Sequence, residues 1–227
     1  MDGLNHADKT EVLRAFAANI LAFDGAHVSP SAAWTAKAGI ADTVGVTLAG
    51  LPEPCTQILL STPGVGDAPG DSLLFATNKR TSILDAALIN GTASHALDFD
   101  DFSAVLGGHQ SVPLVAPLFA MAEDRALSGA AVLAAYQVGH EAEHRLAQAV
   151  HPHHYDKGWH PTSTVGIFGT VAALARLIDL DADRTTLALA IAASMASGLK
   201  ANFGTMTKPL HVGHSARAGV MAVLLAG

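Results

Sequence analysis

The stretch SPSAAWTAKAGIADTVGVTLAG (residues 29–50) decides the fold class. Ser29 is a cap candidate, Pro30 takes the first helical position and Gly50 closes the segment, which is the start-and-stop order of a helix. Upstream, Thr10 to Phe23 places Val12, Leu13, Phe16, Ile20 and Leu21 on one helical stripe. Downstream, a loop rich in Pro and Gly, STPGVGDAPGDS (61–72), leads into SLLFAT (72–77), a strand or a turn of helix. TSILDAALINGTASHALDFDD (81–101) then runs helical again. Further helices are expected at about 111–124, at 128–149 with Ser128 as cap, at 161–178 with Pro161 first, from near Asp181–Asp183, and from about His211 to the end. Alternating strand runs between turn signals are nearly absent, so the fold class is all-α.

Composition narrows the function. Half of the 227 residues are hydrophobic and 15% are charged, enough apolar material for a sizeable core. No apolar run reaches the roughly 18 residues of a membrane span, and MDGLNHADKTEV lacks the basic-then-apolar order of a leader, which predicts a cytoplasmic protein with no membrane partner. Cys55 is the only cysteine and cannot by itself ligate an iron–sulfur cluster. The net charge of −7 argues against nucleic-acid binding. That charge is uneven: residues 1–156 carry 7 Lys/Arg against 17 Asp/Glu, whereas residues 157–227 carry 6 against 3. Chance explains the asymmetry, or the last third handles an anionic ligand.

Three constellations could carry chemistry. In VGHEAEHRL (138–146), His140-Glu141-x-x-His144 matches the spacing of a zinc hydrolase helix. Such a site needs a third ligand, yet no glutamate follows Glu143, and the positions where an extended motif places Gly and His hold Ala147 and Val150. The second constellation is HALDFDD (95–101) with GGHQS (107–111). Asp98, Asp100 and Asp101 at a helix C-terminus would oppose the dipole, so they form either a solvated terminus or a site. A magnesium cage there lacks a second acidic cluster. The third pairs KGWHPTSTVG (157–166) with TMTKPLHVGHS (205–215). His160 and Lys208 each precede a proline at an expected helix start, where free N–H groups favour a carboxylate; the alternatives are a capping histidine and a surface lysine.

Together these stretches resemble the MmgE/PrpD family, whose members include 2-methylcitrate dehydratase, cis-aconitate decarboxylase and iminodisuccinate epimerase. NGTASHALDFDD (90–101), KGWHPTSTVGIFGTVAALARL (157–177) and ASGLKANFGTMTKPLHVGHSARAGVMAVLLA (196–226) carry the resemblance, and AKAGIADTVGVTLAG (36–50) looks like the family's opening helices. The resemblance implies a helical domain over 1–227, with the family's α+β lid, including a basic residue and a tyrosine, absent from this chain. It implies a lyase working without metal or organic cofactor, as a homodimer, on a small di- or tricarboxylate. Asp98, His109, His160 and Lys208 fall on the family's catalytic positions, His160 and Lys208 as the groups that hold the substrate. The helix with GHEAEH corresponds to one that binds no metal. Phe102 stands where several members have threonine, and Gln110 replaces a common proline, so dehydration, decarboxylation and epimerisation all stay open. A second expectation is a truncated, non-catalytic relative that serves as a dimerisation or binding module.

Overall fold

The Ser29 hydroxyl accepts the Ala32 amide at 3.2 Å and Pro30 opens the helix, satisfying one of the N–H groups that a helix start leaves without a partner. The computed structural model describes residues 6–23 and 28–227; residues 1–5, which open the stretch tested for a leader, lie outside them. The first helices are α1 (His6–Leu21), α2 (Pro30–Gly50), α3 (Pro54–Ser61) and α4 (Ile83–Ser94). Between α3 and α4 lies a two-residue antiparallel pair, β1 (Ser72–Leu73) and β2 (Arg80–Thr81), with Ser72 opposite Thr81. Then follow α5 (Val112–Asp124), α6 (Gly129–Val150), the single turns α7 (His153–Asp156) and α8 (Pro161–Thr164), α9 (Gly166–Leu177), α10 (Ala182–Met195) and α11 (Thr207–Ala226). No described helix is long and apolar enough to cross a membrane.

One apolar cluster runs through the bundle, with Leu114, Leu118, Met121, Ile167, Val171, Leu174, Leu189 and Val220 fully buried. Small residues let the helices come close. A Cβ on Gly139 of α6 would lie 2.7 Å from the Gly169 carbonyl of α9, and a Cβ on Gly91 of α4 would lie 3.1 Å from Gly213 Cα of α11. These two crossings bring the C-terminal end of α4, the N-terminal end of α11 and the α8–α9 junction to one face of the bundle.

Besides α1, which starts at His6 and ends at Leu21, and α3, which the sequence reading did not expect, three boundaries near the site differ from the sequence expectation. The helix expected through 101 ends at Ser94, where the chain turns to bring His95 and His109 onto Asp100 and Asp98 adopts a left-handed φ of 59°. The helix expected over 161–178 is interrupted at Val165. The last helix starts at Thr207 rather than His211, with Pro209 accommodated in the first turn, where its missing N–H costs nothing.

Candidate active site

The loop from 95 to 111 leaves α4 and returns to start α5. Asp100, buried at its centre, accepts hydrogen bonds from His95 Nδ1 at 2.8 Å and His109 Nδ1 at 2.9 Å. Asp101 turns the other way and accepts from the Ser111 amide at 3.1 Å, the Ser111 hydroxyl at 2.5 Å and the Gln110 amide at 3.1 Å. Asp101 therefore sits at the start of α5, where the dipole favours a negative charge. This corrects the expectation that all three carboxylates oppose the dipole of the preceding helix. The loop's far end is pinned by the Ser103–Gly108 bridge and by Ser103 Oγ, 2.8 Å from His144 Nε2.

The facing wall is built around His160. Pro161 restricts the residue before it to extended backbone, and His160 has φ −96° and ψ 99°. Its amide donates to the Gly198 carbonyl at 3.0 Å, while the Lys200 amide donates to Gly158 at 2.9 Å. Gly198, at φ 133°, makes the turn that this pairing needs. The Ser163 hydroxyl lies 2.6 Å from the Ser197 carbonyl and 3.0 Å from that of His211, tying α8 to α11. As a result His160 Nδ1 lies 3.2 Å from His211 Nδ1.

Two of the expected helix-mouth donors are turned inward. The Ser163 and Thr164 amides both donate to the His160 carbonyl, and the Gly108–His109 backbone covers the mouth, with the His109 amide donating to Thr162 Oγ1 at 3.0 Å. Lys208 lies within the first turn of α11 rather than before it, and its amide donates to the Thr205 carbonyl. An anion at this site would be met by side chains.

The four residues picked from sequence come together. Lys208 Nζ lies 2.5 Å from Asp98 Oδ1, and His109 Nε2 lies 3.3 Å from the same oxygen. Lys208 also lies over the Phe203 ring, which meets His160 edge-on at 4.9 Å between centroids. His160 stacks on His95 at 5.7 Å. Burial first, with the neighbouring imidazoles and the Lys208 charge also disfavouring a cation, pushes the His160 imidazole down to about 2, so it is neutral. Burial also draws His109 downward, but the hydrogen bond and charge of Asp100, with Asp98, outweigh it and the net shift is upward. Burial alone would raise Asp100; the two histidine bonds instead hold it well below the usual carboxylate range. The arrangement therefore has one imidazole biased toward the cation, one fixed neutral, and a lysine.

His95, Asp98, Asp100 and His109 each offer a ligand atom within 4.8 Å of the others, close enough to surround a cation. The donors are already engaged with one another, and Lys208 supplies the compensating charge at Asp98. In the HEAEH helix, the His140 and His144 rings stack at 4.1 Å. His144 Nδ1 meets the His140 carbonyl at 2.8 Å, and its Nε2 meets Ser103. Glu141, the would-be base, pairs with Arg145 at 2.6 Å.

His95 and His211 belong to the cluster although the sequence analysis singled out neither, and Asp100, weighed there only as one of three carboxylates of a possible site, is its centre. His95 and Asp100 were visible as members of HALDFDD, but their pairing across five residues is a tertiary contact with no periodic signal. His211 and Lys208 are three residues apart on α11, the spacing that puts two side chains on one helix face.

A family model described as MmgE/PrpD N-terminal domain matches residues 14–227. Human cis-aconitate decarboxylase is 39% identical over 146 residues, covering 62% of this chain and 30% of that protein. The cis-aconitate decarboxylase-like protein oryM of Aspergillus oryzae is 32% identical over 158 residues, covering 66% and 33%. Aspergillus terreus cis-aconitate decarboxylase is 27% identical over 198 residues, covering 84% and 40%. The matches thus span about a third of the length of these curated relatives.

Proposed function

The chain belongs to the MmgE/PrpD family by its N-terminal helical domain, and from that premise we propose that it is a cofactor-independent lyase acting on a small di- or tricarboxylate. The carrying observation is Asp98 Oδ1 shared between Lys208 Nζ and His109 Nε2, with Lys208 and the neutral His160 meeting the same Phe203 ring. Among such substrates the relatives favour cis-aconitate and loss of CO₂.

Lys208 binds a retained carboxylate, exchanging part of its pairing with Asp98, and His160 donates a hydrogen bond to the same anionic end. The C–C bond to the departing carboxylate breaks, CO₂ leaves, and the electron pair spreads through the adjacent double bond toward the retained carboxylate. Lys208 and His160 stabilise that charge as it develops, where such donors act most strongly. His109, its imidazolium favoured by Asp98 and Asp100, delivers a proton to carbon and recovers one from water. Dehydration would pass through a related carbanion, with His109 protonating the leaving hydroxyl. A homodimer is included in the proposal, supported by exposed Trp34, Leu224 and Leu225.

The test is incubation of the full chain with cis-aconitate, 2-methylcitrate and citrate, following CO₂ release and product protons by NMR. Turnover of one acid, cut about 10²–10⁴-fold in His109→Ala and Lys208→Ala, is expected. Normal rates in both variants, or no turnover of any acid, would overturn the lyase reading. A second reading, a carboxylate-binding module without turnover, is favoured by the exposure of the Asp98 side chain, 55%. Tricarboxylate binding by calorimetry without product would select it.

A further inference from the structure

Asp100 takes hydrogen bonds from two imidazoles on one oxygen. Its Oδ2 lies 2.8 Å from His95 Nδ1 and 2.9 Å from His109 Nδ1, and its Oδ1 lies 3.0 Å from His95 Nδ1. A carboxylate only accepts, so both Nδ1 atoms carry the hydrogen, whichever oxygen is counted. The two rings differ in what their other nitrogen does. His109 Nε2 faces Asp98 Oδ1 at 3.3 Å, whereas His95 Nε2 is buried with no partner among the described residues. Burial draws His95 down against the bond and charge of Asp100, so that ring is neutral near pH 7 and its Nε2 is a bare lone pair. An apolar side chain would fill this place without leaving a buried acceptor unpaired, so the imidazole is explained by what its Nδ1–H does.

We propose that His95 is a positioning residue: anchored at the end of α4, it spends its Nδ1–H on Asp100, aims that carboxylate at His109 and divides its charge between two rings. This deepens the proposed lyase reading and rests on it only for the proton that His109 delivers. His95 caps α4, its amide donating to the Thr92 carbonyl at 3.3 Å, and its side chain is fully buried. His109 stands on the loop, and its Nδ1 is held by the Asp100 carboxylate, with the Asp100 carbonyl at 3.2 Å. The two rings meet edge to face with centroids 4.7 Å apart, so the loop histidine packs on the one the helix fixes. Asp98, with Lys208 on the same oxygen, faces His109 at Nε2, Phe102 meets the ring edge-on from the loop, and His160 is neutral. Asp100 is therefore the charge at His109 that His95 governs. Without the His95 donor, the less satisfied carboxylate grips the His109 hydrogen more tightly.

NMR of the full chain tests this. Long-range ¹⁵N–¹H spectra near pH 7, with His95→Asn and His109→Gln used to assign the two rings, should show His95 with hydrogen on Nδ1 and none on Nε2. His95→Leu should raise the pH at which His109 loses its proton by about one unit. It should also cut kcat by up to about 10²-fold while KM holds, the mark of a misplaced catalytic group. His95→Asn, whose amide nitrogen is bonded to Cγ as Nδ1 is, keeps the donor and should return both toward the values of the unsubstituted chain. If His95→Leu does not fold, the spectrum of the unsubstituted chain still decides, because hydrogen on His95 Nε2 overturns the proposal. So does a His109 titration unmoved or lowered in His95→Leu, or one shifted equally by leucine and asparagine; turnover in that case leaves the lyase reading standing. If the titrations are as expected and no acid is turned over, the lyase reading fails and the positioning of His109 stands.

Discussion

Lys208 and Asp98, 110 positions apart in sequence, meet at 2.5 Å between Nζ and Oδ1. Asp98 holds that position in the left-handed region, at φ 59°, where a non-glycine residue costs on the order of 1 kcal/mol. The lysine side chain is mostly buried and the aspartate mostly exposed, so the pair adds little to stability. On the proposed lyase reading, the loop accepts that strain to present a carboxylate oxygen to Lys208 and His109 together.

Asp98→Gly should therefore separate stability from activity. Glycine removes the left-handed penalty, and thermal unfolding should stay level or rise by up to about 1 kcal/mol. Turnover should fall about 10²–10⁴-fold. Loss of stability together with activity would mean that the ion pair holds the loop structurally.

The pH dependence follows from His109. Its folded pKa lies above the unfolded value of 6.5, so its contribution to stability is complete below that value and fades as pH rises through the folded pKa. Acting as the proton donor, it should impose a fall in kcat/KM on the alkaline side. In Asp100→Asn the main upward influence on His109 is gone, so that limb should move to lower pH. An unmoved limb in the pH–rate profile would remove His109 from the donor role.

Most of the fold was legible because helix signals are local. Ser29, Pro30 and Gly50 bound α2 as read, and Ser128 caps α6. The α4 boundary was missed because Ala96, Leu97 and Phe99 continue the apolar pattern after the backbone has turned, and the turn is held by His95 and His109 bonding to Asp100. Asp98, His109, His160 and Lys208 could be picked out by motif. The placement of His95, Asp100 and His211 beside them depends on contacts between distant elements, and no spacing records that.

Glu143 illustrates the same limit. It lies inside the HEAEH stretch and is fully buried, with neither carboxylate oxygen hydrogen-bonded among the described residues. Burial, with the nearby Asp101 charge, raises its pKa well above 4.5. The folded state keeps it neutral while the unfolded chain ionises, so stability is full below 4.5 and is lost as pH rises toward the folded pKa. The slope is about 1.4 kcal/mol per pH unit. Glu143→Gln should flatten that decline: equal melting temperatures near pH 4.5 and a higher one for the variant at pH 8. A parallel decline in both proteins would place an ionised Glu143 in the fold.

Zinc and chelators should leave the protein unchanged. The nitrogens of His144 are committed to the His140 carbonyl and Ser103, and Glu141 is paired with Arg145. Equimolar zinc or excess EDTA should shift the melting temperature by less than the error of the scan. A zinc-dependent rise abolished by His144→Gln would overturn this account of the helix.

Asp98 follows α4 and Lys208 opens α11, so a glycine series at the crossing of these helices tests whether the crossing sets their distance. A Cβ on Gly213 would collide with the Leu88 carbonyl and with Thr92, which are backbone or firmly held, so the helices must part. Gly213→Ala should cost about 1–3 kcal/mol, the range for overpacking a close contact. Gly91→Ala, whose Cβ would meet Gly213 Cα at 3.1 Å, should cost less. Gly45→Ala in α2, with nothing within 4 Å, should stabilise by about 0.5–1 kcal/mol through helix propensity. If the crossing sets the site, kcat should fall in the same order as stability across the two crossing variants and stay unchanged in Gly45→Ala. Full activity in a destabilised Gly213→Ala would mean that the loop and α11 find each other without the crossing, through the Asp98–Lys208 contact itself.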